Sequence, residues 1–289
     1  MHMLDRPDLH ERTLQRDGSV LHYWLTGPDE RPLVVLTHGA TMDHRMFDAQ
    51  VAALAPEYRV LTWDVRGHGR SQPLGSGFSV HGAARDLLAI LDQLGATEAA
   101  LVGQSLGGNI AQEIALIAPE RVTALALLGC ACNTLKLSAI DNVLLRLSTP
   151  LLALYPTERL RRTIAERVAI TPAVQAYALE GGRQVSRRDF LTIWAALPRC
   201  LHEEPGYRIR QPLLLMHGAH DNLGNFKQSY PIWAARDTHG AFAVIPNAGH
   251  NANQDNPDYF NALLLAFLRE RLPTSEYHEQ DKLPRAAVN

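Results

Sequence analysis

Gly103-Gln104-Ser105-Leu106-Gly107, with Gly108 directly after it, stands where an apolar run, Glu98 to Ser105, gives way to a helical pattern, Leu106 to Ala118. A serine on a sharp strand-to-helix turn sits on strained backbone that passes close to neighbouring elements, and the glycines at 103 and 107 leave the room. The helix behind it presents unsatisfied N–H groups near the serine oxygen. A serine hydroxyl alone is a weak nucleophile; it needs a general base and a group that orients the base. Asp221 follows the apolar run PLLLMHGA, and His250 follows AFAVIPNA. Both fall at the carboxyl ends of strands, the edge of an open parallel sheet where sites form and where Ser105 also emerges. The chemistry open to this set is acyl transfer: Ser105 attacks a carbonyl, His250 takes the hydroxyl proton, and Asp221 orients the imidazole. Asp64, Asp237 and Asp255 are the competing carboxylates.

A fourth group supports this arrangement. His38-Gly39-Ala40-Thr41 follows the apolar run PLVVLT, the place from which one N–H of an oxyanion hole is expected, the second coming from the residue after the nucleophile. The backbone N–H groups of Ala40 and Leu106 are assigned to that role. Met42, Phe47 and Leu144 are candidate walls of a substrate pocket. The stretch VLLRLSTPLLALYP, Val143 to Pro156, is either a helix packed on the body or one wall of an apolar acyl pocket. His217 and His220, three residues apart at a strand end, do not share a face, so no metal site is expected there.

The elements that must hold these residues follow from periodicity. RTLQR and SVLHYWLTG flank Asp17-Gly18, a dipeptide suited to a tight hairpin. Pro32 to Ala40 reads as a strand buried on both faces. Asp43 can cap a helix running to about Ala55, Tyr58 to Val65 is a strand, and Val80 to Leu94 is a helix with Ala84, Leu87, Leu88, Leu91 and Leu94 on one face and Gly95 as its stop. Strands over Glu98 to Ser105 and Val122 to Gly129 enclose the helix that begins at Leu106. Repeated β-α-β units imply a parallel sheet. From Asn133 to Arg210 the pattern is helical, Leu- and Arg-rich, after which strands resume at Pro212 to Asp221 and Ala241 to His250. A last helix, Pro257 to Leu272, precedes a polar tail, 275–289. The expected organisation is an α/β domain over 1–132 and 211–274, with a helical insertion at 133–210.

The chain has 289 residues, 46% of them hydrophobic, and a net charge of −2. That excludes a wholly disordered chain and gives no basic excess for nucleic acid. The charge is uneven: 133–210 carries 12 Lys or Arg against 7 Asp or Glu, a net +5, leaving −7 on the remainder. Solvated arginines account for this, and steering of an anionic substrate, or electrostatic seating on the body, is the sharper alternative. Cys130, Cys132 and Cys200 are odd in number and do not form a secreted disulfide pattern. The first residues lack an apolar signal region, and the longest apolar run, Ala124 to Cys132, is half of a membrane span, so a cytoplasmic location without a membrane span is expected. Oligomeric state is not readable.

HG at 38–39, DVRGHGRS at 64–71, GQSLGG at 103–108, HGAHD at 217–221 and AGHNANQDNP at 248–257 together resemble the α/β-hydrolase fold family, over the whole chain apart from the insertion and the termini. The order Ser, Asp, His is also that of the family. The resemblance implies an eight-stranded, mostly parallel sheet with a helical cap inserted after the sixth strand, and a cofactor-free serine hydrolase acting on a small, largely apolar ester-like substrate. Some relatives carry the acid after the sixth strand; here that position holds Gly129 and Cys130, which favours Asp221. His38 and His68 lie in landmark loops and are read as structural, as are Asp64 and Arg66. Serine at 105 disfavours dehalogenases and epoxide hydrolases, which have aspartate there. Absence of a GPG-type segment after His38-Gly39 lowers the odds of a carbon–carbon hydrolase. That chemistry, thioesterase, perhydrolase and acyltransferase chemistry, and a ligand-binding receptor with vestigial turnover remain the alternatives.

Overall fold

The structure, a computed structural model, describes residues 9–136, 139–237 and 240–272; the polar tail, 275–289, lies outside them. β1 (His10–Arg16) and β2 (Ser19–Thr26) form the antiparallel hairpin. Its turn has φ 49° at Asp17 and 77° at Gly18, the positive values that a two-residue hairpin requires. β3 (Leu33–Thr37), α1 (Asp48–Leu54) and β4 (Arg59–Trp63) follow, then α2 (Val80–Gln93), β5 (Ala99–Gln104), α3 (Leu106–Ile117) and β6 (Val122–Leu128). Between β6 and β7 (Leu213–Gly218) lie α4 (Ala139–Leu154), α5 (Thr157–Val168), α6 (Pro172–Gln184) and α7 (Arg187–Ala196). α8 (Phe226–Arg236), β8 (Gly240–Ile245), α9 (Ala252–Asp255) and α10 (Pro257–Arg271) complete the described chain.

The eight strands form one sheet in the order β1-β2-β4-β3-β5-β6-β7-β8. β1, β2 and β4 pair antiparallel, and every later pairing is parallel. Alternation explains why the strand sequences are continuously apolar: Val35, Leu61, Leu101, Leu125 and Leu215 feed the core beneath α2, α3 and α8, while Val34, Val60, Val102, Ala126 and Met216 feed the core beneath α1 and α10. On α2, Ala84, Leu87 and Leu91 are buried as the spacing requires, and Gly95, at φ 66°, ends the turn. Asp43 does cap, but it caps a short 3₁₀ turn, His44–Phe47, from which α1 continues.

Two features differ from the sequence expectation. The pattern offers no element between Asp221 and Ala241, yet α8 occupies that interval, its apolar stripe interrupted by Pro231. The apolar stretch on α4 divides: Val143, Leu147, Leu151 and Leu154, one helical stripe, stand in solvent, with Leu154 80% exposed, while Leu152 packs on the core. No helix among the described residues is long and apolar enough to cross a membrane.

Candidate active site

Ser105 is the link between β5 and α3, at φ 50° and ψ −113°, a conformation that non-glycine residues rarely hold. Its neighbours make that turn possible. A Cβ on Gly107 would fall on the carbonyl oxygen of Thr37, and one on Gly103 on the backbone of Gly107. The serine N–H donates to the Leu128 carbonyl at 2.8 Å, which ties the turn to the end of β6. Leu106 opens α3, so its N–H has no acceptor within the helix.

The structure brings Asp221 and His250 together. Asp221 follows β7 and His250 follows β8, and the imidazole Nδ1 lies 2.8 Å from Asp221 Oδ2; both residues are buried. Nδ1–H donates to the carboxylate, which leaves Nε2 as the lone-pair nitrogen. The other carboxylate oxygen accepts from the N–H of Leu223 at 2.9 Å. Gly129, at the end of β6, admits this pair: a Cβ there would stand 3.0 Å from the imidazole and 3.3 Å from Asp221 Oδ2. The competing carboxylates are engaged elsewhere. Asp64 accepts from the N–H of His44 and of Arg70, Asp237 from Trp233 and Arg236, and Asp255 from backbone N–H groups.

The loop that carries Ala40 is set by buried polar contacts. Val65 N–H donates to His38 Nε2 at 3.0 Å, so His38 Nδ1–H donates to the Gly39 carbonyl at 2.8 Å. Burial holds His38 below the usual imidazole range and pushes its neighbour His68 down to about 3. Arg66 makes two bonds to Asp86, at 2.5 and 2.6 Å. Among the described residues, the hydrogen bonds of His38, His68 and Arg66 stay within these loops and α2. Thr41, at φ 67°, meets the β6–β7 helices: it shares with Leu160, Ile164, Ala178, Val185 and Phe190 a narrow cavity of about 20 Å³, room for little more than one water.

Two groups near the site, Gln104 and Asn251, lie within the GQSLGG and AGHNANQDNP motifs, which assign them no role. The side chain of Gln104 donates to the His250 carbonyl at 3.2 Å, and Gly39 lacks a Cβ where Gln104 Oε1 passes, so the residue before Ser105 links His250 to the Ala40 loop. Asn251 lies within reach of Met42 Sδ at 3.8 Å. Met42 and Phe47 are both buried in the core beneath α1, at 2% and 1% exposed; Met42 also neighbours Asn251, the residue after His250. The side chain of Leu144, on α4, lies outside the described residues. Cys130, Cys132 and Cys200 are buried free thiols, and burial raises all three, Cys200 to about 12, which leaves them protonated at neutral pH.

The profile of the α/β hydrolase fold matches residues 32–257, and the chain belongs to that family. Over 273 residues it is 28% identical to RutD of Stutzerimonas stutzeri (strain A1501), a protein named provisionally as a carbamate hydrolase, covering 87% of this chain and 97% of that protein. Over 118 residues it is 34% identical to 3-oxoadipate enol-lactonase 1 of Acinetobacter baylyi (strain ATCC 33305 / BD413 / ADP1), covering 41% and 44% of the two chains. Among solved structures, a hydrolase from Pseudomonas aeruginosa PA01 is similar with a TM-score of 0.77 and 26% identity, over 89% of this chain and 98% of that one.

Proposed function

We propose that the protein is a serine hydrolase that cleaves a carboxylic ester or lactone through an acyl-enzyme, with Ser105 as nucleophile, His250 as general base and Asp221 as its orienting acid. The observation that carries this reading is the buried 2.8 Å contact between His250 Nδ1 and Asp221, at the strand ends where Ser105 is held in strained backbone. Similarity to an enol-lactonase and to a protein named for carbamate hydrolysis supports attack on ester or amide-like carbonyls.

Ser105 Oγ adds to the carbonyl carbon as its proton passes to His250 Nε2, and Asp221 stabilises the imidazolium. The N–H groups of Ala40 and Leu106 receive the oxyanion. The imidazolium returns its proton to the leaving alkoxide, and water, activated by the same histidine, releases the acid. The β6–β7 helices act as a cap, closing apolar side chains over Thr41 and excluding water.

A panel of p-nitrophenyl esters, thioesters and lactones of increasing acyl length, with Ser105→Ala as the blank, tests this reading. Turnover of at least one oxygen ester or lactone, absent from the blank, is expected. No turnover on any of them would overturn it.

A further inference from the structure

Asp255 lies five residues beyond His250, and its three hydrogen-bond donors among the described residues are all backbone N–H groups. Oδ2 accepts from Gly249, the residue before His250, at 2.8 Å, and from Ile170 at 3.0 Å. Oδ1 accepts from Thr171 at 3.0 Å. Ile170 and Thr171 belong to the link between α5 and α6, and Thr171 is the cap residue of α6 but makes no capping bond with its own side chain. The carboxylate of Asp255 therefore caps α6 from another part of the chain, where negative charge is favoured. On the other side of the histidine, the Asn251 N–H donates to the Val168 carbonyl, the end of α5, at 2.7 Å. Contact is close along the whole seam, for a Cβ on Gly249 would stand 3.3 Å from Ala169 Cα and from Asp255 Oδ2.

The residues on both sides of His250 are thus fastened to the same four-residue link, Val168 to Thr171. A brace for the histidine loop alone would need the Gly249 bond only; two of the three bonds go to the β6–β7 helices. We infer that Asp255 is a positioning residue that couples the seat of His250 to the α5–α6 link, so that displacement of those helices withdraws the base from its working geometry. This rests on the reading of His250 as general base. Misplacement of a catalytic group by about 1 Å can lower a rate about 10²-fold, so a modest movement of the link would be enough to switch turnover off.

Thr171→Pro tests the coupling from its far end. It deletes one donor to Asp255 and leaves the histidine loop untouched, at φ −82° and ψ 125°, angles that proline, and a residue preceding Pro172, both adopt. Two readouts are needed: kcat on p-nitrophenyl acetate, an ester too small to need the helices as a wall, and amide exchange at Gly249 and Asn251 without substrate. Coupling predicts a loss in kcat of about threefold to tenfold with KM little changed, and faster exchange at both amides. Exchange changed only within 169–175, with kcat at the wild-type value, would overturn it. Should Thr171→Pro fail to fold by circular dichroism, Asp255→Asn, which removes one acceptor oxygen, is read in the same way: lower kcat with faster exchange at Gly249 supports the coupling, and neither change overturns it. If the wild-type protein turns over no ester, the hydrolase reading fails, and the coupling is judged by exchange alone.

Discussion

The strand-end loops and the β6–β7 helices are built on different principles. At the strand ends and on the adjoining α2, these polar side chains are buried and hydrogen-bonded: Asp64 to two backbone N–H groups and the His44 ring, Asp86 to Arg66 and Arg16, His250 to Asp221. On the helices, Glu158 gathers Arg161, Arg162 and Arg183 at the surface, where water screens such pairs, and an apolar stripe of α4 faces water. One region places atoms; the other covers them. The contact between the two also differs from what net charge suggests. The insertion is basic and the remainder acidic, yet the ion pair joining α6 to the Asp43 loop has Glu180 on the helix and Arg45 on the body, 2.9 Å apart. Net charge sums distant groups, whereas docking depends on the few that meet.

The contrast can be broken from either side. Asp221→Asn, which leaves shape intact and spoils the tautomer of His250, is expected to lower kcat about 10³-fold or more with little change in melting temperature; a loss under tenfold would remove the acid role. Arg66→Met leaves Asp86 with only Arg16 and is expected to cost about 3 kcal/mol in urea unfolding, far more than any exposed pair on α5.

A smaller effect follows from His38 and His68. Both are held neutral by burial, His68 with its folded pKa at about 3 against about 6.5 unfolded. A depressed histidine contributes its full stability above pH 6.5, and that stability is lost as pH falls, because the unfolded chain binds a proton that the folded chain refuses. Between pH 7 and 5 His68 alone accounts for a decline of about 2 kcal/mol. Unfolding of the wild type and of His68→Gln at both pH values should show the variant with the shallower decline. Leu154→Ser, on the exposed stripe of α4, should change stability by less than about 0.5 kcal/mol and leave kcat on short esters unchanged; a larger change would mean that the stripe is covered in solution.

Much of this division is legible in the chain. Ser105 and Asp221 each follow a strand buried on both sheet faces, and His250 follows the half-exposed edge strand β8; such runs are recognisable one at a time. Asp255 and Gln104 are not, because, apart from Gly249 beside His250, the backbone groups they bond lie 84 to 146 residues away, and a backbone N–H or C=O leaves no mark on residue type. α8 is hidden by Pro231 and by polar residues on its outer face. The placement of β4 between β2 and β3 is equally silent, since every strand involved is apolar in the same way. Phe47, an aromatic residue close in sequence to Ala40 and Met42, reads as a pocket wall; the 3₁₀ turn directs it into the core beneath α1, where Met42 is also buried.

The central claim is that Ser105 is a nucleophile activated by His250. Labelling with a fluorophosphonate, followed by peptide mass spectrometry on the wild type, Ser105→Ala and His250→Ala, tests it most directly. The account predicts a single phosphonylated peptide containing Ser105, no label in Ser105→Ala, and labelling slowed at least about 10³-fold in His250→Ala. Label on another residue, or undiminished labelling of Ser105 without His250, would contradict it.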